Sequence, residues 1–200
     1  MEYALFFWFA WMLWIIATFF MKRTKRQAFL AAAILITIIF VPITLTLSVV
    51  ELSAAYGVIM MLACLWTGVL PAAHKWKVIV LAAALMLLYA SFQLMVWYNP
   101  VIFLLGETWI PAVVLSFVMV FFHGHSESRY PLVLLAFAFG ELIAAVTVMP
   151  LTGNLYLADV HFYNTLATVL VLLVCWHWLE QFAWRLVGTG NAKRSSGLPL

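Results

Sequence analysis

Charge is what this 200-residue chain has least of: Asp, Glu, Lys and Arg together make up 8% of it. A soluble domain carries about a quarter charged residues, because it needs a solvated shell. So few charges cannot coat a globule, and with 68% hydrophobic residues the solvent of this chain is lipid. Cysteine is scarce too. Cys64 and Cys175 are the only two, and both fall inside long apolar runs rather than in an outer loop where a disulfide would form; they read as small apolar core residues. Signatures of soluble catalysis are missing as well. There is no Gly-Lys-Ser/Thr phosphate loop, no His-Glu-x-x-His and no Gly-x-Ser-x-Gly elbow. The last apolar run has no lysine to carry a retinal Schiff base, and no run carries the serial arginines of a voltage sensor. With outer loops too short to build a shaped site, the balance leans away from an enzyme, and no cofactor is implied. The competing class is a membrane-embedded enzyme acting on lipid, with Glu141 and His177 as acid and base.

What the chain does have is seven long apolar runs. They cover about residues 3–21, 28–48, 54–73, 78–97, 103–122, 131–150 and 162–184. Each is near the ~20 residues that a membrane helix needs. The runs are continuous, whereas strands of a membrane barrel would be shorter and alternate apolar with polar. A helix also satisfies its own backbone, which hydrocarbon demands. The expected fold is therefore all-α: a polytopic transmembrane bundle of seven helices over residues 1–187, followed by a disordered tail at 188–200. There is no room for a separate soluble domain. The first run is expected to be retained as a helix, since nothing basic precedes it and Lys22 to Arg26 follow it directly.

Lys and Arg residues give the orientation. All ten fall in four places, at alternate ends of the runs: Lys22, Arg23, Lys25 and Arg26; Lys75 and Lys77; Arg129; and Arg185, Lys193 and Arg194. Short loops rich in these residues stay on the cytoplasmic side. This parity predicts an N-terminus outside and a C-terminus in the cytoplasm of a multi-pass cell-membrane protein. The formal charge of +3 is explained by these topology signals facing an anionic leaflet. No basic stripe with interleaved aromatics lies outside the runs, so a nucleic-acid partner is discounted.

Candidate chemistry centres on Glu141, near the middle of the sixth run. An ionisable group there costs at least about 2.5–3.5 kcal/mol and must face the bundle interior or a wet cavity. It could serve as a proton or cation site, or as a protonated acid donating one interhelical hydrogen bond. Ala136, Gly140 and Ala144 beside it form a small-residue stripe suited to close helix packing. His177 and Glu180 lie one turn apart near the inner end of the seventh run, with Gln181 and Trp184 on the same side. They suit either a proton-relay entrance or an interfacial anchor.

His123-Gly124-His125 with Glu127 is the only cluster resembling metal ligands. No cysteine or fourth ligand lies nearby, and a solvated loop is the better reading. Asp159 and His161 take the same discount. Glu107 fits the favourable N-terminal end of a helix, with Pro111 near its first turn. Trp8, Trp11 and Trp14 recur every third residue and suggest an aromatic packing face rather than a cofactor box.

The opening Met1-Glu2-Tyr3, the run Phe6-Phe7-Trp8-Phe9-Ala10-Trp11-Met12 and the Lys22-Arg23 stop resemble the YphA-type membrane proteins of bacilli. The resemblance covers nearly the whole chain in length and hydropathy. It implies a bacterial cell-membrane protein and carries no functional residues over. The N-out, C-in count of seven also resembles the SWEET sugar transporters. It departs from them in having no counterpart to Pro42 inside the sixth run and no Pro-Gln pair. The functional expectation is a structural or accessory membrane protein whose partners are the bilayer and another membrane protein. The alternative is a small proton-coupled secondary transporter using Glu141, of unknown substrate.

Overall fold

Proline decides where several helices stop. The computed structural model describes residues 3–21, 23–47, 50–98, 106–122 and 126–195. Helix α1 (Ala4–Ile15) passes into one π-helical turn, Ile16–Phe20. Helix α2 (Lys25–Phe40) starts at Thr24, whose hydroxyl caps the Gln27 N–H at 3.3 Å. The sequence predicts that this second helix runs on to residue 48. It ends at Phe40 instead, because Pro42 cannot continue a helix. The chain turns and becomes strand β1 (Thr44–Leu47), which pairs antiparallel with β2 (Val50–Ser53).

Helix α3 (Ala54–Val69) stops before Pro71, with Leu70 extended, four residues short of the expected end at 73. Helix α4 (Ala72–Tyr98) follows almost at once, and Lys75 Nζ donates to the Gly68 carbonyl at the end of α3 (2.9 Å). Helix α5 is Trp109–Phe122, with Pro111 in its first turn; residues 103–105 of the expected span lie outside the described residues. Helix α6 (Ser126–Thr152) is followed by strand β3 (Leu155–Leu157), parallel to β2. Helix α7 (Val160–Ser195) is continuous through residues 188–195, where a disordered tail is expected. The fold is all-α apart from this small three-stranded sheet, in the order β1-β2-β3, which caps one end of the bundle.

Length divides the helices into two groups. Lys75–Tyr98, Arg129–Thr152 and Val160–Ala183 are long and apolar enough to cross a membrane. Ala4–Phe20, Gln27–Phe40, Ala54–Val69 and Trp109–Phe122 are apolar but shorter. At 1.5 Å per residue, the shortest of these rises only about 21 Å.

The core centres on α6, against which α3, α4 and α7 pack. Tyr89, Phe137, Phe162 and Tyr163 are its largest fully buried side chains. Gly140 lets α4 come close: a Cβ there would sit 2.9 Å from the Met86 carbonyl oxygen and 2.8 Å from the Tyr89 ring. Side chains tie the remaining helices to this centre. Asn164 Oδ1 on α7 accepts from the Phe6 N–H in the first turn of α1 (3.0 Å), and Tyr56 on α3 donates to the Ala138 carbonyl (2.7 Å). Tyr163 donates to Ser53 Oγ at 2.8 Å, which donates in turn to the Val41 carbonyl, joining α7 to both sides of the sheet.

Cys64 and Cys175, expected in the core, are both exposed on the outside of the bundle. A lipid-facing surface is as apolar as the interior, so hydrophobicity could not tell the two apart.

Candidate functional site

The intramembrane carboxylate comes first. Glu141 projects from α6 just after Gly140, so the close approach of α4 places Tyr89 and Gln93 against it. Tyr89 Oη donates to Glu141 Oε2 at 2.8 Å, and Gln93 Nε2 reaches the same oxygen at 3.2 Å. Gln93 Nε2 also donates to Tyr89 Oη at 2.7 Å, which closes a triangle. The other oxygen, Oε1, accepts from the Ala158 backbone N–H at 3.1 Å. Ala158 has φ +59°, a left-handed conformation that few non-glycine residues adopt. The turn after β3 is thus bent so that its amide points at the carboxylate. Glu141 is 6% exposed. The carboxylate accepts three hydrogen bonds from two elements, two from α4 and one from the β3–α7 turn, where the sequence suggested a single donated bond.

A cleft of about 60 Å³ opens beside it, lined by Gln93, Trp97, Glu141, Asn154, Tyr156 and Asp159 among others. It lies at the sheet-capped end. Asp159 is exposed, and its Oδ1 caps α7 by accepting from the Phe162 N–H at 3.1 Å. His161 Nε2 lies 3.4 Å from Glu107 Oε2, with both side chains well exposed. Glu107 precedes α5, so this contact links the α5 and α7 entrances.

At the opposite end of α6, Glu180 meets a residue that the sequence offered only as a topology signal. Arg129 is 3% exposed and forks onto Glu180: Nη2 to Oε1 at 2.9 Å and Nη1 to Oε2 at 3.1 Å. Trp176 Nε1 adds a third donor at 2.9 Å. His177 is not among its hydrogen-bond donors; its Nε2 lies 2.8 Å from Gln181 Nε2. The two side chains thus take different hydrogen-bond partners, Glu180 with Arg129 and Trp176 and His177 with Gln181.

These two polar sets are far apart. Twelve positions of α6 separate Arg129 from Glu141, a rise of about 18 Å. Leu132, Val133, Ala136 and Phe137 fill that interval, none more than 1% exposed. Val78 and Leu85 on α4 and Val169 and Leu173 on α7 are equally closed. Of the polar side chains near this layer, Thr168 donates to the Asn164 carbonyl and Tyr56 to that of Ala138, while Ser116 Oγ on α5 is buried without a hydrogen-bond partner.

Among the described residues no group of three or more His, Cys, Asp or Glu could hold a metal ion. His123 and His125 lie outside the described residues, and Glu127 is described only in its backbone. Along α1, Trp11 and Trp14 meet edge to face at 5.7 Å, while Trp8 is 79% exposed, so the aromatic face looks partly outward.

Residues 2–196 match the model of the YphA-like integral membrane protein family, and the chain belongs to that family. It is 25% identical over 173 residues to a Bacillus subtilis (strain 168) protein described as "Uncharacterized protein YphA", a match covering 86% of each chain. No solved structure matches it.

Proposed function

We propose that this YphA-like integral membrane protein is a structural or accessory component of the cell membrane, in which Glu141 latches the sheet-capped end to the bundle. One observation carries the reading: the buried Glu141 and half-buried Glu180 are held in two separate hydrogen-bonded sets, one at the middle of α6 and one near its N-terminal end, with an apolar layer between them. A proton-coupled carrier needs a titrating group that can be reached from both sides in turn. The cleft beside Glu141 gives access from one end only, and Glu180, the residue that would extend a path from the other, is held in a fork by Arg129.

All seven helices are embedded, N-terminus outside and C-terminus in the cytoplasm. Arg23, Lys25, Lys75, Lys77, Arg129 and Arg185 all lie at helix ends remote from the sheet, which supports a cytoplasmic placement of that end. The shorter helices reach across with their flanking segments or in a locally thinned bilayer. Labelling of single cysteines at Ser195, Ser126 and Asn154 tests this: Asn154 reacts from outside and the other two only after permeabilisation. Reaction of Ser195 from outside reverses the orientation.

The latch is tested by hydrogen exchange. In Glu141→Leu the amides of 50–53 and 155–158 exchange at least about tenfold faster, as expected from losing about 1.4 kcal/mol or more of local stability. Unchanged protection there removes Glu141 from the role assigned to it.

A further inference from the structure

An apolar cavity of about 210 Å³ lies between α1, α2, α3, α6 and α7. Its wall runs from Phe6 to Met21 along α1 and the π-helical turn, a rise of about 22 Å. It is therefore long and narrow rather than round. Two features of the sequence hollow it out. Among the residues of helix α2 whose side chains are described none is fully buried, so its inner face stands off the bundle. The facing positions carry small side chains, among them Ala17 on the π-helical turn, Ala33 on α2 and Ala167 on α7. The wall's hydroxyl at Thr37 is spent on its own helix, donating to the Ala33 carbonyl at 2.9 Å, and Trp66 and Tyr130 stack on each other.

A void of about 150 Å³ with apolar walls stays dry and takes up an apolar guest. This one is larger, elongated, and belongs to a protein surrounded by hydrocarbon chains. At one end, where Met21 and Phe29 close the wall, the connection to α2 carries Arg23 and α2 itself opens with Lys25, both exposed. Basic residues at a membrane surface attract anionic headgroups. We propose that the cavity seats one acyl chain of an anionic phospholipid, whose phosphate rests against Arg23 and Lys25. The inference is independent of the latch at Glu141, since the two sites share no lining residue.

Full-length protein in phosphatidylcholine nanodiscs, titrated with phosphatidylglycerol bearing a photoactivatable acyl chain, tests it. Labelling should saturate at one lipid per chain and fall on α1 or α2 residues of the wall. Arg23→Gln/Lys25→Gln, an exposed pair whose loss leaves the bundle unaltered, should weaken phosphatidylglycerol binding about thirtyfold, at roughly 1 kcal/mol per basic residue. Ala33→Phe, which fills the cavity, should abolish saturable labelling, with thermal stability measured alongside to separate filling from misfolding. Equal labelling by a phosphatidylcholine probe overturns the proposal, as does labelling that never saturates or is indifferent to the double substitution. Cross-links to a second copy of the chain in place of lipid would also overturn it, by showing that a protein helix fills the space.

Discussion

Glu141 and Glu180 are held in opposite ways. Glu141 is 6% exposed and its three hydrogen-bond donors, from Tyr89, Gln93 and Ala158, are all neutral. The Glu180 side chain is 33% exposed and faces a guanidinium in a two-point fork. The difference follows from depth. Burying a second full charge beside Glu141 would add a desolvation cost that the pair's attraction does not reliably offset. Peptide, amide and phenol dipoles satisfy the carboxylate without it. Near the helix end, water remains within reach of Glu180, and an arginine fork costs less there and gives a defined geometry. One carboxylate is thus a junction of three elements, and the other a clip between two helices.

If that contrast is right, removing the acceptor at the junction has the larger effect. Glu141→Leu leaves the buried Ala158 N–H and the Tyr89 hydroxyl without their acceptor, and should cost about 3 kcal/mol. Detergent-titrated unfolding in mixed micelles measures this. Gly140→Ala comes next. Its new methyl group meets the α4 backbone, which cannot move as a side chain can, so it should destabilise by about 1–3 kcal/mol in the same assay and loosen Tyr89 from Glu141. A neutral result would mean that α4 and α6 are not in close contact at this point. Arg129→Gln should cost only about 1–2 kcal/mol, less than the 3–5 expected when a fully buried pair is broken, because Glu180 can turn to water. A cost exceeding that of Glu141→Leu would reverse the ranking of the two ends.

Some of this organisation could be read along the chain. Glu141 stood out because an acid amid apolar residues must find partners, and the Ala136–Gly140–Ala144 stripe marked the helix face that α4 approaches. The partners were harder. Tyr89 and Gln93 share one helical face, a local signal for a polar patch, but nothing local pairs them with a residue about fifty positions away. Arg129 and Glu180 are 51 residues apart, and Arg129 has a sufficient second explanation as a topology signal. The sheet left a trace as well: Thr44-Leu45-Thr46-Leu47 alternates with the period of a strand, yet the apolar run around it reads as helix. Inside and outside could not be distinguished for Cys64 and Cys175, since lipid imposes no polar outer face whose periodicity would reveal the helix orientation.

Glu141→Gln tests the central claim most directly. Glutamine keeps the shape and an oxygen for the Ala158 amide, while removing the titrating group. Interhelical hydrogen bonds of this kind average about 0.6 kcal/mol, so the stability change should be of that order. Proton movement would be followed in proteoliposomes of wild type and variant across pH 5 to 8. The latch predicts no flux above empty liposomes in either protein, with both equally well folded. Wild-type flux that disappears in Glu141→Gln, at unchanged expression and stability, would contradict it and make Glu141 the working group of a transporter.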